Sequence, residues 1–88
     1  MSNDALICTF DFGDMCVKVT PYIDNRFGDK FGIYSIHPED IGNKLFSEAQ
    51  KLNIKNIHLI GNKKYFEEIK NLMVKNNQNY SNINIEVY

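Results

Sequence analysis

The sequence has few of the residues that mark secreted, membrane or heavily cross-linked proteins. It contains no tryptophan, two prolines and two cysteines in 88 residues. Two cysteines are too few for a disulfide-rich scaffold, and a structural zinc site normally needs four cysteine or histidine ligands. No apolar run reaches membrane-spanning length, and the opening "MSNDALICTF" lacks the charged segment and long apolar core of a secretory signal. We therefore expect a soluble, cytoplasmic protein that has no membrane partner.

An excess of charge of either sign is also missing. The formal net charge is -1 and the sequence pI is about 6.0. A general electrostatic attraction to nucleic acid is not encoded by such a balance, so nucleic-acid binding is an alternative that the composition disfavours. Alanine and arginine are scarce beside abundant asparagine, isoleucine and lysine, a bias typical of AT-rich genomes. From this bias we expect a bacterial or phage origin.

The chain does contain enough apolar residues for one small core. Hydrophobic residues make up 43% of the sequence and aromatic residues 12%, which is typical of a folded domain and unlike a disordered segment. Eighty-eight residues are the size of one domain, and no repeat divides them. The polar stretch "KNNQNYSN" predicts a loop within that domain. We therefore predict a single domain over residues 1–88.

The stretch "CTFDFGDMCVKV" predicts a β-hairpin. β-Branched and aromatic residues dominate Asp4 to Phe12 and Met15 to Ile23, and Gly13-Asp14 between them suits a two-residue type I′ or II′ turn. If Phe12 pairs with Met15, cross-strand partners share a face. The apolar face then carries Phe10/Val17 and Cys8/Val19, and the mixed face carries Asp11/Cys16, Thr9/Lys18 and Ile7/Thr20. Cys8 and Cys16 lie on opposite faces in this register, which excludes a disulfide between them.

The remainder alternates between helix and strand patterns. Asp24 to Lys30 predicts a turn and Phe31 to Ile36 a third strand, followed by a helix from Pro38 to about Asn53. The segment "NIHLIGN" predicts a fourth strand and "INIEVY" a fifth. A second helix lies between them, with one apolar face made of Tyr65, Phe66, Ile69, Leu72 and Met73. The predicted fold class is α/β (α+β): a two-layer sandwich with a five-stranded mixed sheet in the order 3-2-1-4-5 and both helices on one face.

This order, βββαβαβ, resembles the ribonuclease H-like fold, in which a three-stranded meander precedes two helix–strand units on a mixed sheet. The resemblance implies carboxylates that hold two divalent cations, on the first strand, the first helix, near the end of the fourth strand and usually on a C-terminal helix. By position, Asp11 matches the first carboxylate and Glu48 the second. The fourth strand ends at Gly61-Asn62 without an acid, and these residues show no C-terminal helix.

Two interpretations of Asp11 follow. In one, it is a weak candidate catalytic residue of a Mg²⁺-dependent phosphodiesterase, with Asp11 and Glu48 as the weak candidate metal ligands. In the other, it is a structural carboxylate that pairs with Lys18 or accepts hydrogen bonds at the end of the hairpin. The second interpretation implies that no cofactor is needed.

Two further motifs offer candidates for phosphate chemistry. "DFGDMCVKV" is similar to the first phosphate hairpin of the actin-like ATPases, but those enzymes need several hundred residues of partner motifs, so we infer no ATPase function from it. Gly61 precedes "NKKYFEE", where a loop feeds the start of a helix. Free N–H groups there, with Lys63 and Lys64, make a weak candidate anion-binding site. His58, inside a strand, is interpreted as a half-buried imidazole that is neither a metal ligand nor a base.

The functional hypothesis that we favour concerns the sheet face away from the helices. Its predicted residues form a mixed surface with an apolar component, which monomeric proteins usually avoid. They are Ile7, Thr9, Lys18, Thr20, Glu86 and Tyr88, with Ile60 beside them. Such a surface predicts a noncatalytic interaction or accessory domain that self-associates through this face or an edge strand, or that binds another protein. The Mg²⁺-dependent phosphodiesterase is the alternative.

Overall fold

A computed structural model describes residues 3–76 and 82–88, with Asn76 described by its backbone only. The described elements, in chain order, are β1 Ala5–Asp11, β2 Cys16–Ile23, β3 Arg26–Phe27, β4 Phe31–Ile33, α1 Pro38–Leu52, β5 Asn56–Ile60, α2 Lys63–Asn76 and β6 Asn84–Val87. Positions 77–81 of the predicted polar loop lie outside the described residues. Neither described helix combines the length and the apolar character needed to cross a membrane.

Within the described residues the strands form one six-stranded mixed sheet in the order β3-β2-β1-β5-β6, and β4 pairs with β2 beside β3. β1 is antiparallel to β2 and parallel to β5, and β5 is parallel to β6. If the two-residue β3 is set aside, this is the predicted order 3-2-1-4-5. The predicted α/β fold class, with helices packed on a mixed sheet, is confirmed.

The register of the first hairpin agrees with the prediction, but its turn does not. The following predicted pairs are present: Ile7 with Thr20, Cys8 with Val19, Thr9 with Lys18, Phe10 with Val17 and Asp11 with Cys16. The ladder stops there, and residues 12–15 form a four-residue connection. A type I′ or II′ turn would require a positive φ at Gly13, whereas the left-handed residue is Met15, with φ 52°. The predicted two-residue turn and the Phe12–Met15 pair are therefore wrong.

The predicted turn at Asp24 to Lys30 contains a second hairpin that the sequence analysis missed. Asp24 and Asn25 have φ values of 55° and 64°, and Ile23 pairs with Arg26 across them. Two consecutive left-handed residues between paired strands define a type I′ turn, a conformation that short Asp and Asn side chains tolerate. This hairpin adds β3 to the sheet. The predicted third strand is also shorter than expected, since β4 ends at Ile33.

The first helix begins and ends where the sequence predicts, for local reasons. Pro38 occupies its first turn, where no backbone N–H donor is needed, and Glu39 in the same turn favours the positive helix end. At the other end Asn53 is left-handed, with φ 56°, and its N–H donates to carbonyl oxygens of the last turn.

The core lies between the two helices and one face of the sheet. Its buried side chains include Ile41, Leu45 and Ala49 from α1, Phe66, Ile69 and Met73 from α2, and Leu6, Cys8, Val17, Val19, Ile57 and Leu59 from the strands. The alternate residues of the central strands point to the other face of the sheet. We call that face, away from both described helices, the open face.

Candidate interaction face

The sheet register arranges the open face in two transverse rows. The first row runs across β2, β1 and β5 through Lys18, Thr9 and Ile60, and the second runs through Thr20, Ile7, His58 and Glu86. The N–H of Tyr88 donates to the carbonyl of Leu59 at 2.9 Å, so Tyr88 continues the first row beyond the end of β6. The structure thus places all the residues of the predicted interaction face on one surface, and it adds His58.

The exposed apolar area of the open face is concentrated in the first row. The exposed fraction of Tyr88 is 56% and that of Ile60 is 36%, whereas Ile7 and Thr20 are half-buried by their neighbours. Thr9, which lies on β1 between Lys18 of β2 and Ile60 of β5, is also exposed. Because both described helices pack on the opposite face, no described helix covers this one.

A hydrogen-bonded cluster holds Tyr88 in place. Its hydroxyl lies 2.6 Å from Oε1 of Glu86 and 3.0 Å from Nδ1 of His58. The hydroxyl has one proton, which it donates to the carboxylate, so Nδ1 of His58 must donate to the hydroxyl oxygen. The bond from Tyr88, with a second from Asn84, lowers the pKa of Glu86, and its bond to that carboxylate raises the pKa of Tyr88. In this cluster Glu86 is therefore an anionic carboxylate that accepts a hydrogen bond from the neutral phenol of Tyr88.

A cation lies at the other end of the first row. Nζ of Lys18 is 3.0 Å from Oδ2 of Asp14 and 5.8 Å from the ring centre of Tyr34. The hydrogen bond to Asp14 raises the pKa of Lys18, so the ammonium keeps its charge at neutral pH. The open face therefore carries a positive group on β2 and a negative group, Glu86, on β6.

Asp11 has a structural role at the hairpin end. Its Oδ1 accepts hydrogen bonds from the N–H groups of Gly13 at 2.8 Å and Asp14 at 3.1 Å. A carboxylate that caps two N–H groups further along its own turn stabilises that turn. This geometry accounts for Asp11 without a metal ion. Lys18 pairs with Asp14 instead of Asp11.

The structure does not bring Asp11 and Glu48 together. Asp11 lies on the open face by register, whereas Glu48 lies on α1, on the helix side, where it forms a 3.3 Å ion pair with Lys51. Across residues 3–76 and 82–88, no three His, Cys, Asp or Glu side chains form a group that could hold a metal ion. The Mg²⁺ hypothesis stays a prediction that rests on Asp11 alone.

The candidate anion site is organised around Asn62, whose capping role was not predicted. Asn62 caps α2, because its Oδ1 accepts the N–H of Tyr65 at 3.3 Å and its carbonyl accepts the N–H of Phe66 at 2.9 Å. An asparagine before a helical pattern is a recognisable capping signal. Lys63 and Lys64 are exposed beside it and Gly61 has φ 110°. Because the cap uses one of the N–H groups that an anion needs, the anion site stays a prediction.

The cysteines offer no nucleophile in the described structure. Cys8 and Cys16 are both buried and free. Burial raises the pKa of Cys8 to about 12, so its thiol stays protonated at neutral pH. A protonated, buried thiol is chemically inert.

Comparisons with known proteins support the fold and no more. No family model and no curated protein matches the sequence. Among solved structures, the chain is similar to a Bacteroides thetaiotaomicron VPI-5482 protein with an actin-like ATPase fold and unknown function, with a TM-score of 0.71 and 12% sequence identity. The similarity covers 97% of this chain and 32% of that one, so the chain spans about a third of its neighbour's length.

At this identity the similarity shows the fold alone. The actin-like ATPase fold is related to the ribonuclease H-like fold, so the predicted resemblance is supported at the level of fold and is not specific to ribonuclease H. The fold of the chain, with six strands and two helices in its described residues, is therefore similar to about a third of that structure.

Proposed function

We propose that this chain is a noncatalytic interaction domain that self-associates through its open face. The observation that carries the proposal is the one-sided packing: both described helices cover one face of the sheet, while Ile60 and Tyr88 remain exposed on the other. Exposed apolar groups on a sheet face favour a partner that buries them. The partner proposed here is a second copy of the chain.

The charges of the open face are self-complementary in one arrangement. Lys18 lies on β2 and Glu86 on β6, at opposite sides of the four central strands. A two-fold axis parallel to the strands, between β1 and β5, places β2 of each copy over β6 of the other. Lys18 of one copy then lies near Tyr88 and Glu86 of the second copy, twice over. An axis perpendicular to the strands would instead bring like charges together, which costs binding energy.

The size of the face sets the expected strength of association. β1 contains seven residues, and four strands at about 4.8 Å spacing with about 3.3 Å per residue give a surface on the order of 400 Å² per copy. This is about half of what a standard stable interface buries on each partner. We therefore expect a weak dimer that forms only at high protein concentration.

Sedimentation over a range of protein concentrations tests the proposal. Ile7→Glu introduces a charge at the centre of the face, and Tyr88→Ser removes an exposed aromatic ring from its first row. Both variants should therefore remain monomeric where the parent chain dimerises. Val74→Glu is the matched control, because Val74 is 56% exposed on α2, away from the open face. It should associate like the parent chain.

Circular dichroism shows whether each variant is folded. If Ile7→Glu unfolds, Tyr88→Ser carries the test, because an exposed side chain at this position contributes little to the core. A parent chain that is monomeric at millimolar concentration would overturn the proposal. Association that survives in both folded variants would show that another surface is used.

A further inference from the structure

A groove runs along the sheet edge at β4 and shares Tyr34, whose ring also lies beside Lys18, with the end of the first row of the open face. It lies between β4 and α1 and has a volume of about 720 Å³. One wall is formed by the strand residues Phe31 to Ile33 with Tyr34 and Ser35, and the other by one side of α1. The α1 residues that line it are Asp40, Asn43, Lys44, Ser47 and Glu48.

The strand wall of this groove is an open sheet edge. Within the described part of the chain, β4 pairs with β2 alone, so its outer edge has no partner strand. An unpaired edge presents backbone N–H and C=O groups that an extended segment can pair with. Phe31 places a half-buried apolar side chain beside those groups, whereas Ile33 is buried in the core.

The helix wall carries charges of alternating sign at a regular interval. Asp40, Lys44 and Glu48 are four residues apart, which spaces them about 6 Å apart along a helix. Alternate side chains of an extended strand are spaced about 6.6 Å apart. Lys44 is exposed and forms no ion pair with any described residue. A strand with basic, acidic and basic residues at alternate positions would therefore match the spacing of these three charges.

We propose that the groove between β4 and α1 binds an extended peptide segment that adds a strand to β4 and carries a basic-x-acidic-x-basic pattern. The backbone of the segment pairs with the edge of β4. Its two basic side chains face Asp40, which already accepts a hydrogen bond from Ser35, and Glu48, which already pairs with Lys51. Its acidic side chain faces Lys44. The length of the helix wall, about 12 Å from Asp40 to Glu48, corresponds to four or five residues of extended peptide.

The probe is an acetylated and amidated pentapeptide, Lys-Val-Glu-Val-Lys, followed by amide NMR of the labelled full chain. Titration should shift the amide signals of residues 31–35 and 40–48 and slow hydrogen exchange at the edge of β4. The charge-reversed peptide, Glu-Val-Lys-Val-Glu, should bind more weakly. In Lys44→Glu the Kd for the first peptide should rise roughly threefold to tenfold, and in Lys44→Gln by less.

Lys55→Glu is the matched control, since it makes the same charge change at an exposed lysine outside the groove. Its Kd for the first peptide should equal that of the parent chain. An equal loss of peptide affinity in Lys44→Glu and Lys55→Glu would show that only net charge matters and would overturn the proposal. An absence of shifts in the amide signals of residues 31–35 at millimolar peptide would also overturn it. Shifts of the signals of residues 40–48 on concentrating the protein without peptide would assign the groove to a second copy and also overturn it.

Discussion

The carboxylate of Asp11 lies at the end of β1, next to the connection that leads to β2. An aspartate at the end of a first strand is what a metal-dependent phosphodiesterase of this fold needs, and it is also what a four-residue connection needs to satisfy its N–H groups. The structure shows the second arrangement, with Oδ1 bonded to Gly13 and Asp14. The two roles predict different responses to substitution.

If Asp11 acts by capping the turn, the identity of its acceptor atom matters more than its charge. Asp11→Ala should lower the free energy of unfolding by about 1 kcal/mol, because two exposed backbone donors lose their protein partner. Asp11→Asn should cost less than about half of that, since an amide oxygen can accept the same bonds. Urea denaturation measures both changes.

Asp29→Ala is the control, because it removes an equivalent charge from an exposed position elsewhere on the surface. It should leave the unfolding free energy unchanged within measurement error. A loss in Asp11→Asn as large as in Asp11→Ala would mean that the charge itself is needed. Selective broadening of NMR signals around Asp11 by Mn²⁺ would then favour the metal role.

At the scale of elements, the two hairpins show what local patterns can and cannot specify. The register of β1 with β2 follows from alternation, since a slip of one residue would expose Cys8, Val17 and Val19. The length and the backbone conformation of the two turns do not follow from their local sequences in the same way. Gly13-Asp14 has the composition of a tight turn, but the hydrogen bonds that Asp11 accepts from Gly13 and Asp14 favour a four-residue connection. Asp24-Asn25 lacks glycine and yet adopts the left-handed pair.

The contact between the two helices could not be read from the sequence. Gly42 lies on the buried face of α1, where a Cβ atom would come within 2.8 Å of Cγ of Met73 on α2. Periodicity marks Ile41 and Leu45 as core residues, but it does not show which neighbouring position must stay small. That constraint arises only when the two helices are packed together.

We therefore expect the effect of Gly42→Ala to depend on Met73. In the parent chain the added methyl forces Met73 to shift, and the expected loss is about 1 kcal/mol of unfolding free energy after the gain in helix propensity is counted. In a Met73→Ala background the same change should stabilise the domain by up to about 1 kcal/mol, because the obstructing atom is gone. Urea denaturation of the four proteins gives this coupling directly.

Ser47→Ala supplies the reference for helix propensity alone, since Ser47 is an exposed position on the same helix. Its effect should be a small gain in both backgrounds. A Gly42→Ala effect of the same sign and size with and without Met73 would contradict the packing argument.

At the scale of the whole molecule, the fold class was predictable from the sequence, but the burial and the hydrogen bonding of the side chains on the open face were not. The order of elements and the apolar alternation of β1 and β2 predicted a sheet with helices on one side. Alternation also placed Ile7 and Tyr88 on the other side. It did not show that neighbours half-bury Ile7, or that His58, Glu86 and Tyr88 form a hydrogen-bonded cluster, because both depend on strands distant in the sequence.

The orientation of the proposed dimer can be tested by exchanging charges across the face. With the two-fold axis parallel to the strands, Lys18→Glu faces Glu86 of the second copy, so repulsion should raise the dimer Kd roughly threefold to tenfold. Glu86→Lys should do the same against Lys18. The double variant should bind more tightly than either single variant, because opposite charges face each other again, but less tightly than the parent chain, because Glu86→Lys removes the acceptor of the Tyr88 hydroxyl. Sedimentation at low and high salt measures all four proteins.

The alternative orientation gives a different pattern in the same experiment. With the axis perpendicular to the strands, β2 lies over β2, so Lys18→Glu exchanges one like-charge contact for another and the Kd should hardly change. Lys55→Glu, outside the face, controls for net charge. Weakening in both single variants and recovery in the double variant therefore require Lys18 and Glu86 to meet across the interface. High salt should reduce the differences in Kd between the variants and the parent chain, because it screens exposed charges.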